Sequence, residues 1–273
     1  MRQMITAVAA CGVLLVAGAP VQATAKDPVR ALKAILASGQ GVQFTETATI
    51  LDGTDERAER RRTGVFEIGE KGGVKALDVT TTGGEHGRER IIGFNHDIGG
   101  TAYRSGGLVG TLLPKGKVWW EDRHQLHLWH RELLGDDEQA VNPTEPATLA
   151  ALVKNGQLSG NVLTGTITFK ELEKVSTWMS HSARGGFEAG TKLSYTLTLT
   201  SAGLVSRVQS TYTAADSPHG PARGALGELA GRTLHVDTRY SRWGSKVSIK
   251  APDPRETTTE LCAEKICKLR LPG

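Results

Sequence analysis

Cysteine and long hydrophobic runs are both scarce in this chain of 273 residues. It has three cysteines, and beyond the first 25 residues no apolar run approaches the roughly 20 residues of a membrane-spanning helix. It also lacks the basic, aromatic-rich tracts of nucleic-acid grooves, the G-x-S-x-G nucleophile elbow and the H-E-x-x-H zinc motif. These absences argue against a membrane-embedded protein, a nucleic-acid-binding protein and the familiar hydrolases. No cofactor and no catalytic residues are predicted.

The N-terminal sequence predicts export from the cytoplasm. Arg2 precedes an apolar run from Met4 to Ala19, and Ala23-Thr24-Ala25 supplies the small residues of a cleavage site. Residues 1–25 are therefore predicted to be a signal peptide cleaved near Ala25, leaving a secreted or envelope-associated protein. Val8-Ala9-Ala10-Cys11 is similar to the end of a lipoprotein signal but lies too early in the chain, so lipidation of Cys11 is the less favoured alternative.

Two helical segments are predicted. Asp27-Pro28 combines an N-cap acceptor with proline in the first turn, and the apolar stripe that follows ends at Gly39. The second segment begins in the proline-containing stretch 142–146 and ends at Gly156. A short helix is also expected within 170–179. Each long segment has one apolar stripe, so it must cover another layer of the protein.

Most of the remaining chain has the period-two pattern of β-strands. In Val42–Leu51, alternate residues are apolar, with Glu46 as the exception; Lys192–Thr200 is the cleanest strand. The charged stretch Asp52–Arg62, with four arginines, is interpreted as a solvated hairpin loop. The other predicted strands are 63–69, 74–82, 90–94, 98–103, 117–121, 162–169, 204–213, 232–240 and 247–250. The polar faces are rich in threonine, which predicts an antiparallel sheet with one wetted face and one buried face.

Three parts of the sequence carry a resemblance to a known family. They are the entry Asp27-Pro28 to Gly41-Val42-Gln43-Phe44-Thr45, the helix from Pro146 to Gly156, and the closing segment from Val236-Asp237-Thr238-Arg239-Tyr240 through Trp243-Gly244 to Ala251-Pro252. In this order the chain resembles the LolA-like exported lipid carriers, including the LppX and LprG type. The resemblance implies an α+β fold: a strongly curved antiparallel sheet, an incomplete β-barrel, covered on its concave side by short helices. It spans residues 26–252, followed by a tail at 253–273.

The favoured function is the extracytoplasmic carriage of a lipid or other apolar ligand between sheet and helices. The predicted lining residues come from the helix stripes and the inward strand positions: Leu32, Leu36, Phe44, Leu149, Leu152, Val153, Leu197, Leu199 and Val236. These residues would form ordinary core if no cavity existed. The alternative is an envelope sensor or scaffold that acts through a protein partner. A membrane surface is a further possible contact.

Two sequence features do not belong to that pattern. His124, His127 and His130 are spaced three apart, which on a helix would place them near one another and permit Zn or Cu binding. Polar positions on a half-buried segment are the favoured interpretation, and a secreted metal-dependent enzyme is the least favoured function. Cys262 and Cys267 are predicted to form a disulfide in the tail, because no second Cys or His pair lies near enough to complete a zinc site.

Overall fold

The computed structural model describes residues 27–53, 55–84, 87–96, 99–122, 138–182, 189–214 and 231–261. The predicted signal peptide with Cys11, the histidines at 124, 127 and 130, and the proposed disulfide partners Cys262 and Cys267 lie outside the described residues.

Twelve strands form one sheet, and five short helices accompany it in the described part of the chain. The strands are β1 (Gln40–Asp52), β2 (Asp55–Ile68), β3 (Val74–Gly84), β4 (Gly87–His96), β5 (Gly99–Gly106), β6 (Trp119–Asp122), β7 (Gly156–Ser159), β8 (Val162–Thr168), β9 (Lys192–Leu199), β10 (Val205–Thr213), β11 (Thr233–Lys246) and β12 (Thr257–Thr258). The helices are α1 (Pro28–Lys33), α2 (Gly107–Thr111), α3 (Pro146–Asn155), α4 (Phe169–Glu173) and α5 (Thr177–Ser182), with a 3-10 turn at Pro254–Glu256.

The sheet is open, curved and almost entirely antiparallel. Its spatial order is β12-β6-β5-β4-β3-β2-β1-β11-β10-β9-β8-β7, and only the two-residue strand β12 pairs in parallel, with β6. The long strands β1, β2 and β11 lie together at its centre, so the first strand pairs with the last long one. Both edge strands are very short, which limits the unpaired backbone available for aggregation. The predicted fold class is confirmed.

The hydrophobic core lies between the concave face of the sheet and four of the helices. Leu32 of α1, Leu152 of α3, Phe169 of α4 and Trp178 of α5 are all buried in the same cluster as the inward residues of the strands. In β9 the predicted alternation is confirmed, because Leu193, Tyr195, Leu197 and Leu199 are buried. Helix α2 buries no residue and therefore lies outside this cover.

Local sequence explains where the helices begin. The Asp27 carboxylate accepts hydrogen bonds from the backbone N–H groups of Val29 and Arg30, at 2.9 and 3.3 Å, which confirms the predicted N-cap. Thr168 and Glu171 form a reciprocal capping box at α4. Helix α1 ends at Lys33, earlier than predicted, because the Ile35 N–H donates to the Leu32 carbonyl in a tighter turn.

The structure corrects two assignments and adds two short elements. The stretch Asp52–Arg62 is not a loop: β1 runs to Asp52 and β2 begins at Asp55, so most of these charges alternate across a strand. Residues 247–250 do not form a strand but begin a C-terminal strap (residues 247–258), in which the Val247 N–H donates to the Gly39 carbonyl. The strap ends where Thr257 pairs with Trp119. The strand β7 and the helix α2 were not predicted, because each has only four or five residues.

Gly165 makes room for a buried tyrosine. Gly156 and Gly165 are directly paired between β7 and β8, and a Cβ atom on Gly165 would lie 2.3 Å from the Tyr195 hydroxyl. The freed space lets that hydroxyl donate a 2.6 Å hydrogen bond to the Leu152 carbonyl near the end of α3. Tyr195 therefore joins the sheet to the helix layer.

This tyrosine predicts a stability change at alkaline pH. Burial raises the pKa of Tyr195 from 10.0 to about 12. Because the folded pKa exceeds the unfolded one, the stabilisation is complete below about pH 10 and is lost as the pH rises towards about 12. We expect the urea midpoint of unfolding to fall as the pH rises through this window, and to fall less steeply with pH in Tyr195→Phe. Some slope remains, since burial also raises the pKa of Tyr240. The same dependence of the urea midpoint on pH in the wild type and in Tyr195→Phe would contradict this prediction.

Candidate ligand-binding site

The nine predicted lining residues lie mostly within the packed core. Leu32, Phe44, Leu149, Leu152, Leu197, Leu199 and Val236 are buried members of the central cluster, and Leu36 packs against its edge. Val153 is 38% exposed at the surface of α3. The structure therefore brings eight of these residues together around one core, and a role for them in ligand contact stays a prediction.

A buried irregular segment occupies the concave side of the sheet. All eight residues of this plug segment, Glu138–Glu145, are buried, although none of them belongs to a helix or strand. Such a position demands that its polar groups find partners inside the protein. The plug segment leads directly into α3, so it joins the concave face to the helix layer.

Gln139 fastens the plug segment to the sheet. Its side-chain oxygen accepts a 2.6 Å hydrogen bond from the Ser210 hydroxyl of β10. Its amide nitrogen donates to the Thr238 hydroxyl of β11 at 3.3 Å and to the Val208 carbonyl at 3.4 Å. Its own carbonyl accepts from the Trp178 indole N–H at 3.0 Å. One glutamine thereby bridges two strands and a helix.

Glu145 fastens the other end of the plug segment. Its buried carboxylate accepts hydrogen bonds from the Ser176 hydroxyl at 2.6 Å, the Trp178 backbone N–H at 2.8 Å and the Thr148 hydroxyl at 2.8 Å. These bonds satisfy donors at the start of α5 and in the first turn of α3. The carboxylate thus holds the two helices together.

An ion pair lies buried beneath the plug segment. Glu46 of β1 and Arg62 of β2 are directly paired across the hairpin, and Arg62 Nη1 lies 2.8 Å from Glu46 Oε1. Their side chains are only 5% and 1% exposed. The second carboxylate oxygen accepts a 2.9 Å hydrogen bond from the Thr238 hydroxyl. The neighbouring Glu46 charge also helps to raise the pKa of Tyr240, although burial is the larger cause.

Among the described residues, the space found between the plug segment and the sheet is small. The enclosed volume there is about 10 Å³, which is about one water-sized sphere. Its walls are mainly aromatic and polar: Phe44, Glu46, Arg62, Phe66, Glu138, Gln139, Val141, Asn142, Trp178 and Tyr240. Asn142 is 3% exposed, and its side-chain nitrogen has no hydrogen-bond partner in the described residues.

A larger groove opens to solvent between α1 and α3. This helix groove has a volume of about 580 Å³, within the range of small-molecule sites. Its apolar walls include Val29 from α1, Leu36 from the segment that follows α1, Ala147 and Ala150 from α3, and Val175, which precedes α5. Lys33, Glu70, Lys71 and Thr177 also line it. Of the nine predicted residues, Leu36 is the one that lines this groove.

The hairpin turn between β2 and β3 closes one end of the helix groove. A Cβ atom on Gly72, which has a φ of +88°, would lie 2.4 Å from the Pro146 ring, so only glycine permits this contact. The Gly73 N–H donates to the Thr144 carbonyl at 3.1 Å, which ties the turn to the plug segment. The small residues that create the groove give no periodic signal in the sequence.

The described residues can also be checked for a metal site and for a membrane-spanning helix. Where the chain is described, no group of three or more His, Cys, Asp or Glu side chains is placed to hold a metal ion. The longest described helix, α3, has ten residues, so none of the described helices could span a membrane.

Comparisons with known proteins were made for the sequence and for the fold. No protein-family model and no curated protein matches the sequence. Among solved structures, the chain is similar to the Mycobacterium tuberculosis lipoprotein LppX, with 8% identity and a TM-score of 0.36, over 82% of this chain and 96% of that one. It is also similar to a DUF1329 family protein from Desulfovibrio piger, with 8% identity and a TM-score of 0.33, over 81% of this chain and 95% of that one. The resemblance to LppX stated from the sequence is thus found again as a likeness of fold, and at this level it carries no information on function.

Proposed function

We propose that this protein is an extracytoplasmic binding protein, and not an enzyme, that carries an apolar ligand such as an acyl chain in the helix groove. The observation that supports this is the solvent-open space of about 580 Å³ between α1 and α3. Three of its wall residues, Val29, Leu36 and Val175, also pack against the hydrophobic core. A ligand there would remove its own surface and that of the groove from water, at about 0.8 kcal/mol per buried methylene.

The charged residues of the helix groove suit a ligand with one polar end. Lys33, Glu70 and Lys71 are exposed beside the apolar walls. Ligand sites of this kind combine mostly apolar walls with a few polar groups that fix orientation. The predicted residues Leu32, Leu149 and Leu152 would then support the groove from beneath, as part of the packed core.

Native mass spectrometry tests the proposal most directly. The mature chain, residues 26–273, is expressed with export and purified without detergent. We expect a bound mass that extracts into organic solvent and fragments as a lipid. A clean apo mass, together with no uptake of an added fluorescent long-chain fatty acid, would refute carriage of an apolar ligand.

A groove-filling substitution tests the location of the ligand. Ala150 is exposed and lines the helix groove, so Ala150→Trp should occupy the space without disturbing the core. We expect it to weaken fatty acid binding by about tenfold or more, equivalent to about 1.4 kcal/mol, with an unchanged urea midpoint. Asn155→Trp is the matched control, because Asn155 is exposed at the end of the same helix and does not line the groove. Equal binding by the two variants would place the ligand elsewhere.

The filled concave side favours a second candidate function, an envelope sensor or scaffold. With only about 10 Å³ enclosed beneath the plug segment, this face holds its own side chains in the structure described. The protein would then act through a protein partner. A clean apo mass would favour this function, and co-purification of the exported chain with one stoichiometric partner would support it.

A further inference from the structure

A second groove lies on the outer face of the sheet, opposite the helices. It has a volume of about 630 Å³ and crosses β11, β1, β2, β3 and β4. Three arginines, Arg88, Arg90 and Arg239, line this outer groove, together with a single acid, Asp78. Its size is again that of a small-molecule site.

One of the three arginines is already neutralised and held in place. Arg90 Nε and Nη2 donate to the two carboxylate oxygens of Asp78, at 2.9 and 2.7 Å. The Arg90 guanidinium also lies 5.5 Å from the centre of the Trp119 ring, a favourable cation–π distance. The Arg90–Asp78 pair is therefore a fixed wall with no net charge.

The other two arginines bring positive charge that the outer groove does not balance. Across the described residues, neither Arg88 nor Arg239 has a side-chain hydrogen bond or ion pair. Asp237 lies on the same face of β11 as Arg239, but both its carboxylate oxygens accept hydrogen bonds from Arg207. Two guanidinium groups thus remain available to an anion.

A row of hydroxyl groups crosses the sheet from Arg239 of β11, which is paired with Thr45, to Arg90 of β4, which is paired with Thr80. Arg88 lies two residues from Arg90 on the same face of β4. Thr45 of β1 is paired with Thr63 of β2, and Thr63 is paired in turn with Thr80 of β3. All three line the outer groove, as does Ser241 of β11. A phosphoryl group accepts several hydrogen bonds at once and matches the planar fork of guanidinium, so this combination of donors suits it.

We propose that the outer groove binds a phosphorylated ligand, with Arg88 and Arg239 supplying positive charge at its two ends and the threonine row donating hydrogen bonds to the phosphoryl oxygens. The site lies on the other face of the sheet from the helix groove. It therefore stands independently of the proposed carriage of an apolar ligand. The phosphoryl group could belong to a soluble compound or to a lipid headgroup, and the two sources are separated by experiment.

Calorimetric titration of the mature chain with inorganic pyrophosphate tests binding of a soluble phosphorylated compound. Sedimentation of the chain with phosphatidylcholine vesicles, with or without phosphatidylglycerol, tests binding of a lipid headgroup. We expect binding in at least one arm, weakened by added salt. In Arg88→Gln/Arg239→Gln, that binding should weaken by about tenfold or more. Lys154→Gln is the control, because it removes one exposed charge on α3, away from the outer groove. No binding in either arm, or an equal loss in the control, would overturn the proposal.

Discussion

Replacing Arg62 by alanine is expected to lower the free energy of unfolding by about 3–5 kcal/mol. The substitution would leave the Glu46 carboxylate buried at 5% exposure without its guanidinium partner 2.8 Å away. A buried charge that has lost its counter-ion is costly in a folded protein, because water no longer solvates it. Urea unfolding of residues 26–273, followed by circular dichroism, measures the loss.

Two further variants separate this cause from a general effect of losing a charge. Lys75→Ala breaks the Lys75–Glu67 ion pair, whose lysine is 54% exposed, and should cost no more than about 1 kcal/mol. The double substitution Glu46→Leu/Arg62→Met removes both buried charges and should recover much of the lost stability. If Arg62→Ala lowers the free energy of unfolding by no more than Lys75→Ala does, burial does not make the Glu46–Arg62 pair important for stability.

The same ion pair shows what the sequence could and could not reveal. The alternation in β1 correctly placed Glu46 on the inward face, where it was an exception among apolar residues. Its partner was missed because Arg62 stands in a run of charges that indicated a solvated loop. Which arginine faces inward depends on the register of the β1–β2 hairpin, and Arg62 is buried although Arg60 and Arg61 beside it are exposed.

Helix starts were predicted well because their causes are local. The Asp27 cap, the proline in the first turn of α1 and the glycine that ends α3 each act within a few residues. The plug segment and the C-terminal strap were not predicted. Both are irregular chain whose positions depend on hydrogen bonds to distant strands, such as that from the Ile249 N–H to Glu67. No periodic pattern signals such a segment.

The candidate site was predicted in part for the same reason. Leu36 belongs to the apolar stripe of the first helical segment, so its place in the wall of the helix groove could be anticipated. Ala147, Ala150 and Gly72 make the groove by being small, and the absence of a side chain has no signature in sequence. The space exists only because α1, α3 and the β2–β3 turn meet there.

The plug segment bears on how much ligand the protein can hold. Glu145 and Thr177 line the helix groove, while Gln139 and Trp178 line the enclosed space beneath the plug segment. The wall between the two spaces therefore consists of the plug segment and the start of α5. If a long ligand extends inward from the groove, it must displace the plug segment, and the free energy of that displacement is subtracted from its affinity.

Gln139→Ala should therefore reduce stability and increase ligand binding together. The substitution removes the acceptor of the Ser210 hydroxyl and the donor to Thr238, so we expect a loss of about 1–3 kcal/mol in urea unfolding. Each 1.4 kcal/mol removed from the cost of displacing the plug segment raises the affinity for a long ligand about tenfold. A fluorescent long-chain fatty acid, titrated against wild type and variant, measures the gain.

The opposite signs of these two effects distinguish a displaceable plug from ordinary core. Leu163→Ala provides the control, because Leu163 is a buried core residue of β8 and should cost about 2–5 kcal/mol without releasing the plug segment. A plug that competes with the ligand predicts tighter fatty acid binding in Gln139→Ala and no gain in Leu163→Ala. Weaker binding in both variants would mean that the plug segment is a permanent part of the fold and that ligand capacity ends at the helix groove.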